Sequence, residues 1–71
     1  MRQNHGALWR VIYIARDERQ ARLIENLLRD AGFMVDRKRT SAESHGQEDI
    51  EIKALAAEAE EARLYLMEKG L

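Results

Sequence analysis

A nearly uninterrupted apolar segment, residues 8–15, constrains this chain more than any other feature of its sequence. The segment is rich in β-branched and aromatic side chains, which favours a β-strand, and its continuous apolarity predicts a strand covered on both faces. Asp17 follows directly, with Gln20 three residues later, which is the spacing of a capping box at a helix start. The first two predicted elements are therefore a strand and a helix.

The size of the chain limits it to one domain. Its 71 residues include no cysteine, so disulfides and thiolate metal sites cannot compensate for a small core that buries only about 60% of the unfolded surface. Subunit association is the remaining way to gain stability. We expect residues 1–7 to form a flexible tail and residues 8–71 to form a single domain that acts as a homodimer.

Two amphipathic segments predict helices. The first begins after Asp17 and ends at Gly32, which can adopt positive φ beyond a helix C-terminus. Its apolar positions recur at three- and four-residue steps: Ala21, Ile24, Leu27, Leu28 and Ala31. Glu18 and Glu25 lie on the opposite, charged face, each four residues before an arginine. The second helix covers residues 55–69, and its apolar stripe comprises Leu55, Ala59, Ala62 and Leu66, with Leu64 on the other side.

Two further segments alternate between apolar and polar residues, which predicts strands with one covered face. In residues 33–40 one side comprises Phe33, Val35, Arg37 and Arg39. In residues 48–54 the inward side comprises Ile50, Ile52 and Ala54. Residues 41–47 are small and polar and predict a loop. The predicted fold is an α+β sandwich of the βαββα, ferredoxin-like kind, with a three-stranded sheet and both helices on one face.

The position of the third strand decides which surface is left open. It can lie between the first two strands, as in a split βαβ unit, or outside the second, and the first arrangement is favoured. The most apolar strand then lies at a sheet edge, and an apolar edge predicts a dimer contact. If Ile12 and Ile14 face the helices, the open face carries large apolar side chains. We therefore predict an interaction face formed by Trp9, Val11, Tyr13 and Met34. The alternative is that Trp9 packs under the N-terminal tail.

No group of residues has the spacing that catalysis or metal binding requires. His5 and His45 share no element with other metal ligands, and Ser44 is a chain neighbour of His45, a relation that rarely gives the geometry of a nucleophile and its base. The four glycines are isolated and form no phosphate-binding loop. We expect no metal, no cofactor and no enzymatic activity.

Arg37 and Arg39 suggest an alternative function. They share one side of the second strand, whereas Lys38 points away from them. A pair of guanidinium groups suits a phosphate or carboxylate ligand. Two functions therefore stay open: a homodimeric regulatory or protein-interaction module that binds a protein or small ligand, and a sensor of a small anion or nucleotide through Arg37 and Arg39.

The charges are unevenly distributed along the chain. Residues 1–40 hold nine Lys/Arg and five Asp/Glu, whereas residues 41–71 hold three and eight. Charge runs are usually solvated surface, and the basic residues are not gathered on one face with aromatic readers, so we expect no nucleic-acid partner. No apolar run is long enough to cross a membrane, and residues 1–10 lack the apolar region of a signal peptide. We therefore expect a cytoplasmic protein with no membrane partner.

Several short stretches resemble a family of small bacterial signal-transducing domains. The resemblance is carried by residues 9–15, Ala21, Leu27-Leu28, Gly32-Phe33 and residues 49–52. It implies a fold like that of the PII nitrogen-regulatory proteins, which are ferredoxin-like relatives, over about residues 8–69. The chain departs from that family in lacking a proline before the last helix. Its loop after the second strand is also shorter than the one through which PII proteins bind nucleotide and partners.

Overall fold

The computed structural model describes residues 8–40 and 49–71, which form an α+β domain with a three-stranded antiparallel sheet and two helices. The predicted tail at 1–7 and loop at 41–47 lie outside these ranges. The elements of the domain, in chain order, are β1 (Trp9–Ala15), α1 (Glu18–Asp30), β2 (Val35–Thr40), β3 (Asp49–Leu55) and α2 (Ala59–Glu68), with a 3₁₀ turn at Ala56–Glu58 before α2.

The third strand lies in the middle of the sheet, whose order is β1-β3-β2, as the favoured arrangement predicted. Both outer strands run antiparallel to β3. Ile52 lies opposite Tyr13 on one side and opposite Arg37 on the other. Because directly opposed residues share a face, these pairs define which side chains face the helices.

The hydrophobic core lies between β3 and the two helices. On β3, Ile50, Ile52 and Ala54 are fully buried while the residues between them are half-buried, so both helices cover the face that these three residues share. The core residues of the helices are Ala21, Ile24 and Leu28 of α1 and Ala59, Ala62 and Leu66 of α2. Leu64 is exposed, as predicted.

Both ends of α1 follow from local sequence signals. The carboxylate of Asp17 accepts a hydrogen bond from the Gln20 backbone N–H at 2.8 Å, and the Gln20 side chain accepts one from the Arg16 N–H at 2.9 Å. At the other end, Gly32 has φ of +95° and Phe33 N–H donates to the carbonyl of Leu28 at 3.0 Å. This is the Schellman pattern, which satisfies carbonyls left without partners in the last turn.

Several predicted boundaries need correction. β2 begins at Val35 rather than at residue 33, because the backbone of Phe33 is used to close α1. Leu55 does not belong to the stripe of α2, since it is the last residue of β3 and lies opposite Trp9. Ala31 is the exposed C-cap of α1 instead of a core position.

The interpretation of β1 as a strand covered on both faces is also wrong. β1 is an edge strand, and most of its residues are exposed or half-buried, with only Ala15 fully buried. The helices cover one face of the sheet, so a side chain of β1 that points to the other face has no layer above it in the part of the chain that the structure describes.

Candidate interaction surface

A β-bulge in β1 determines which side chains reach the open face of the sheet. The register to β3 shifts between Val11, which lies opposite Lys53, and Tyr13, which lies opposite Ile52. Ile12 is therefore an extra residue that has no directly opposed residue on β3. A single extra residue reverses the face to which all later side chains point, because side chains alternate with a period of two.

The bulge exchanges the predicted places of Tyr13 and Ile14. Tyr13 faces the helices: it is half-buried against the core, and its hydroxyl lies 3.4 Å from the side-chain nitrogen of Gln20, which donates to it. Ile14 lies opposite Glu51 and is exposed on the open face. The prediction that Tyr13 belongs to the open face, and Ile14 to the core, is wrong because the alternation was continued across the bulge.

The other predicted interaction residues lie near opposite edges of the sheet. Trp9 and Val11 lie on the open face, opposite Leu55 and Lys53 respectively. Met34 is exposed, directly before β2, and β3 lies between that strand and β1. The structure therefore places Trp9, Val11 and Ile14 on the same face of β1. Met34 is separated from them by β3.

The open side of β1 carries an aliphatic surface, which we call the β1 surface and define by Val11 and Ile14. Their side chains are 39% and 57% exposed, and Trp9 is half-buried on the same face. An exposed isoleucine alone is ordinary, but two exposed aliphatic side chains on the same face of one edge strand are characteristic of a contact site. The sequence alone indicated this strand as a contact, although it selected a different set of side chains.

The helix side of the same strand is also apolar. A recess of about 130 Å³ lies between β1 and the C-terminal half of α2. It is lined by Ile12, Tyr13, Arg63, Leu66, Met67 and Leu71. Met67 is 62% exposed beside it. Apolar side chains therefore lie on both sides of the free edge of β1.

The rest of the open face is charged. Asp36 of β2 lies opposite Lys53 of β3, and Lys38 lies opposite Glu51. Opposite charges at directly opposed positions of two strands are a favourable cross-strand arrangement. The open face thus divides into an aliphatic strip along β1 and an area of alternating charge over β2 and β3.

The two arginines proposed as an anion site belong to an internal ion-pair cluster. Arg37 donates from Nε to Oε2 of Glu25 at 2.7 Å, from Nη2 to Oε1 of the same carboxylate at 3.2 Å, and from Nη1 to Oε1 of Glu18 at 2.8 Å. Arg39 donates from Nη2 to Oε1 of Glu18 at 3.3 Å. Both arginines therefore face α1, which confirms that they share one side of β2.

These contacts change the protonation equilibria of the cluster. The hydrogen bond from Arg37 lowers the pKa of Glu18 from its ordinary value of 4.5, and the charges of Arg37 and Arg22 act in the same direction. The hydrogen bonds to Glu25 and Glu18 raise the pKa of Arg37. Both shifts favour the charged forms of Glu18 and Arg37, which is the state that their short contact requires.

The cluster gives no support to the anion-sensor hypothesis. The fork of Arg37, which suits a phosphate or a carboxylate, is engaged by the carboxylate of Glu25 in the same two-point manner. An external anion would have to displace that carboxylate. The arrangement favours a structural role for Arg37, in which β2 is held against α1.

Glu25 is the residue whose role the sequence analysis missed. It was assigned to the solvated face of α1, but it is only 5% exposed. A signal was present: Glu25 lies four residues after Ala21 and three before Leu28, both of which are in the core. Together with the alternation that places Arg37 on the same side of its strand as Phe33 and Val35, this spacing indicates a carboxylate and a guanidinium on facing elements.

The described residues offer no group of three His, Asp or Glu side chains that could hold a metal ion. His5, Ser44 and His45 lie outside the described ranges. No helix in these ranges has the length and apolarity of a membrane span. Comparisons of the chain with models of protein families, with curated proteins and with solved structures find no match.

Proposed function

We propose that this protein is a non-enzymatic protein-interaction module of the regulatory kind, that it acts as a homodimer, and that the β1 surface is its contact site. The observation that carries the proposal is the exposure of Val11 and Ile14 on an edge strand that, among the described residues, pairs with β3 alone. Apolar sheet edges that are left unpaired attract other chains, so natural proteins cover them or charge them. A second copy of the chain would cover the apolar edge formed by β1.

The size of the domain supports the same conclusion. A chain of 71 residues has a small core, and only ten of the described apolar residues are buried, five of them isoleucine or leucine. Two more large aliphatic side chains per copy, Val11 and Ile14, would leave water on dimerisation. Each side chain of this size contributes about 1.5–3 kcal/mol when it is fully buried, which is substantial for a small domain.

The resemblance to small bacterial signal-transducing domains is part of this proposal, and so is the finer classification of the fold as PII-like and ferredoxin-like. The position of β3 between β1 and β2 supports it, because that order is the split βαβ arrangement. The internal pairing of Arg37 with Glu25 and Glu18 favours the interaction module over the sensor of small anions.

Sedimentation equilibrium of the full chain tests the proposal. We expect a species of twice the 8.3 kDa chain mass, and we expect Ile14→Lys to shift it towards the monomer. A lysine at this exposed edge position should be tolerated by the fold, because the side chain points to solvent in a single copy.

Leu64→Lys is the matched control. Leu64 is 51% exposed against 57% for Ile14, but it lies on α2 beside Phe33 and Glu61, on the flank of that helix away from β1. The Leu64→Lys variant should therefore leave the dimer intact. A monomeric wild type at the highest attainable concentration, or an Ile14→Lys variant that dimerises as well as Leu64→Lys, would overturn the proposal.

A further inference from the structure

The two edges of the sheet differ in a way that indicates how copies associate. This inference rests on the proposed homodimer. Along β2, the side chains on the open face are Asp36 and Lys38, and charges of this kind prevent an edge strand from pairing with another chain. Along β1 the corresponding positions are Val11 and Ile14. The open-face positions of β2 are therefore charged, whereas those of β1 at Val11 and Ile14 are aliphatic.

A twofold dimer that covers β1 can form in two ways. The open faces of two sheets can stack, or the free edges of two β1 strands can pair. Stacking would remove Asp36, Lys38, Glu51 and Lys53 from water along with the aliphatic strip, and the desolvation of such charges opposes association. Edge pairing leaves these charges in water and still covers the β1 surface.

The helix side of β1 also favours edge pairing. The recess that holds Ile12 and Leu71, with Met67 exposed beside it, opens next to the same edge. Stacked open faces would leave this apolar area uncovered, because it lies on the opposite side of the sheet. Paired edges bring the area against its equivalent in the second copy, so both apolar flanks of β1 are covered at once.

We infer that two copies associate by antiparallel pairing of β1 with β1 of the second copy, which gives a continuous six-stranded sheet with all four helices on one face. A twofold axis perpendicular to the sheet produces this arrangement, and antiparallel pairing is the only kind that such an axis allows. The unpaired N–H and C=O groups of one β1 become the partners of the other.

The charges of β1 restrict the register. A twofold axis at Arg10 would set two arginines directly opposite each other, which is destabilising. An axis at Val11 or at Ile14 sets two aliphatic side chains opposite each other instead. These two registers are therefore favoured over the register centred on Arg10.

Disulfide cross-linking tests the inference without interference, because the chain contains no cysteine. Directly opposed residues of antiparallel strands have Cβ atoms about 4.5–5.5 Å apart, close to the separation in a disulfide. We expect Val11→Cys or Ile14→Cys to form a covalent dimer under mild oxidation. Lys53→Cys, at the centre of the open face, and Leu64→Cys should stay uncrosslinked.

Hydrogen exchange on the wild-type chain gives a second readout that needs no substitution. Amides of β1 that do not bond β3 should exchange more slowly at high protein concentration than at low concentration, whereas the exchange of β2 amides should not depend on concentration. A dimer that cross-links through Lys53→Cys, or one whose β1 amides show no concentration dependence, would overturn edge pairing and leave the homodimer standing. A monomeric wild type would instead remove the proposed function itself.

Discussion

Removal of the guanidinium of Arg37 should destabilise the fold through the carboxylate of Glu25. The change Arg37→Met keeps an unbranched side chain on β2 but removes every hydrogen bond that Glu25 receives from it. The side chain of Glu25 is 7% exposed, so water cannot replace those donors freely. The nearest remaining cation is Arg29, whose Nη1 lies 3.7 Å from Oε1 of Glu25.

The size of the effect follows from burial. Loss of one partner of a fully buried ion pair costs about 3–5 kcal/mol. Arg37 is 29% exposed and its contact with Glu18 lies near the surface, so we expect a loss of about 2–3 kcal/mol in the free energy of unfolding. A chain of this length has a total stability of about 4–11 kcal/mol. The variant should therefore lose a large part of its stability.

Urea unfolding followed by far-UV circular dichroism measures this loss, with the protein concentration held constant so that the proposed association affects every variant under the same conditions. Arg22→Met is the control: the same substitution there removes a 3.3 Å contact to Glu18 between side chains that are 68% and 42% exposed, for which about 0–1 kcal/mol is expected. The double variant Glu25→Met with Arg37→Met leaves no buried charge without a partner, since Arg29 is 55% exposed, and should recover much of the loss. Equal stability of the Arg37→Met and Arg22→Met variants would refute the reasoning.

Two further predictions concern the same helix. Since Arg37 lowers the pKa of Glu18 below 4.5, ionised Glu18 stabilises the folded state above that pH, and this contribution is lost as the pH falls through the lowered pKa. Glu18→Gln should therefore flatten the pH dependence of the urea midpoint between about pH 5 and pH 3, and an unchanged slope would contradict the role of Glu18. Gly32→Ala should cost about 1–2 kcal/mol in the same assay, because Gly32 has φ of +95° while a Cβ there meets no atom within 4 Å. A chemically synthesised chain with D-alanine at position 32 should lose nothing, and an equal loss in both chains would show that space, not backbone conformation, is the cause.

The features that sequence analysis predicted correctly depend on neighbouring residues. Asp17 and Gln20 fix the start of α1 through bonds that span four residues or fewer, and Gly32 fixes its end. The inward side of β3 was correct because its alternation is strict and no residue is inserted. Such patterns are set by the local geometry of helices and strands, and they can be read without knowledge of the tertiary contacts.

The errors arise where a distant element decides the outcome. The bulge after Val11 depends on how β1 pairs with β3, about forty residues further along the chain, and nothing in the apolar run of residues 8–15 marks the extra residue. Glu25 was placed in solvent because its partner Arg37 lies twelve residues away on another element. A buried charge is stable only with its partner, so one cannot be predicted without the other.

The bulge also alters the chemistry of the predicted contact. A Tyr13 on the open face would bring a polar hydroxyl, which suits a surface that is exposed to water part of the time. Ile14, which takes that place, has no group that can bond water, so its exposure in a single copy is more costly than that of tyrosine. Aliphatic contacts are typical of permanent assemblies, whereas interfaces that form and separate are more polar. The exchange of these two side chains therefore favours a stable homodimer over transient binding of a partner at β1, and partners of the assembled module would have to be bound by other surfaces, such as the charged area over β2 and β3.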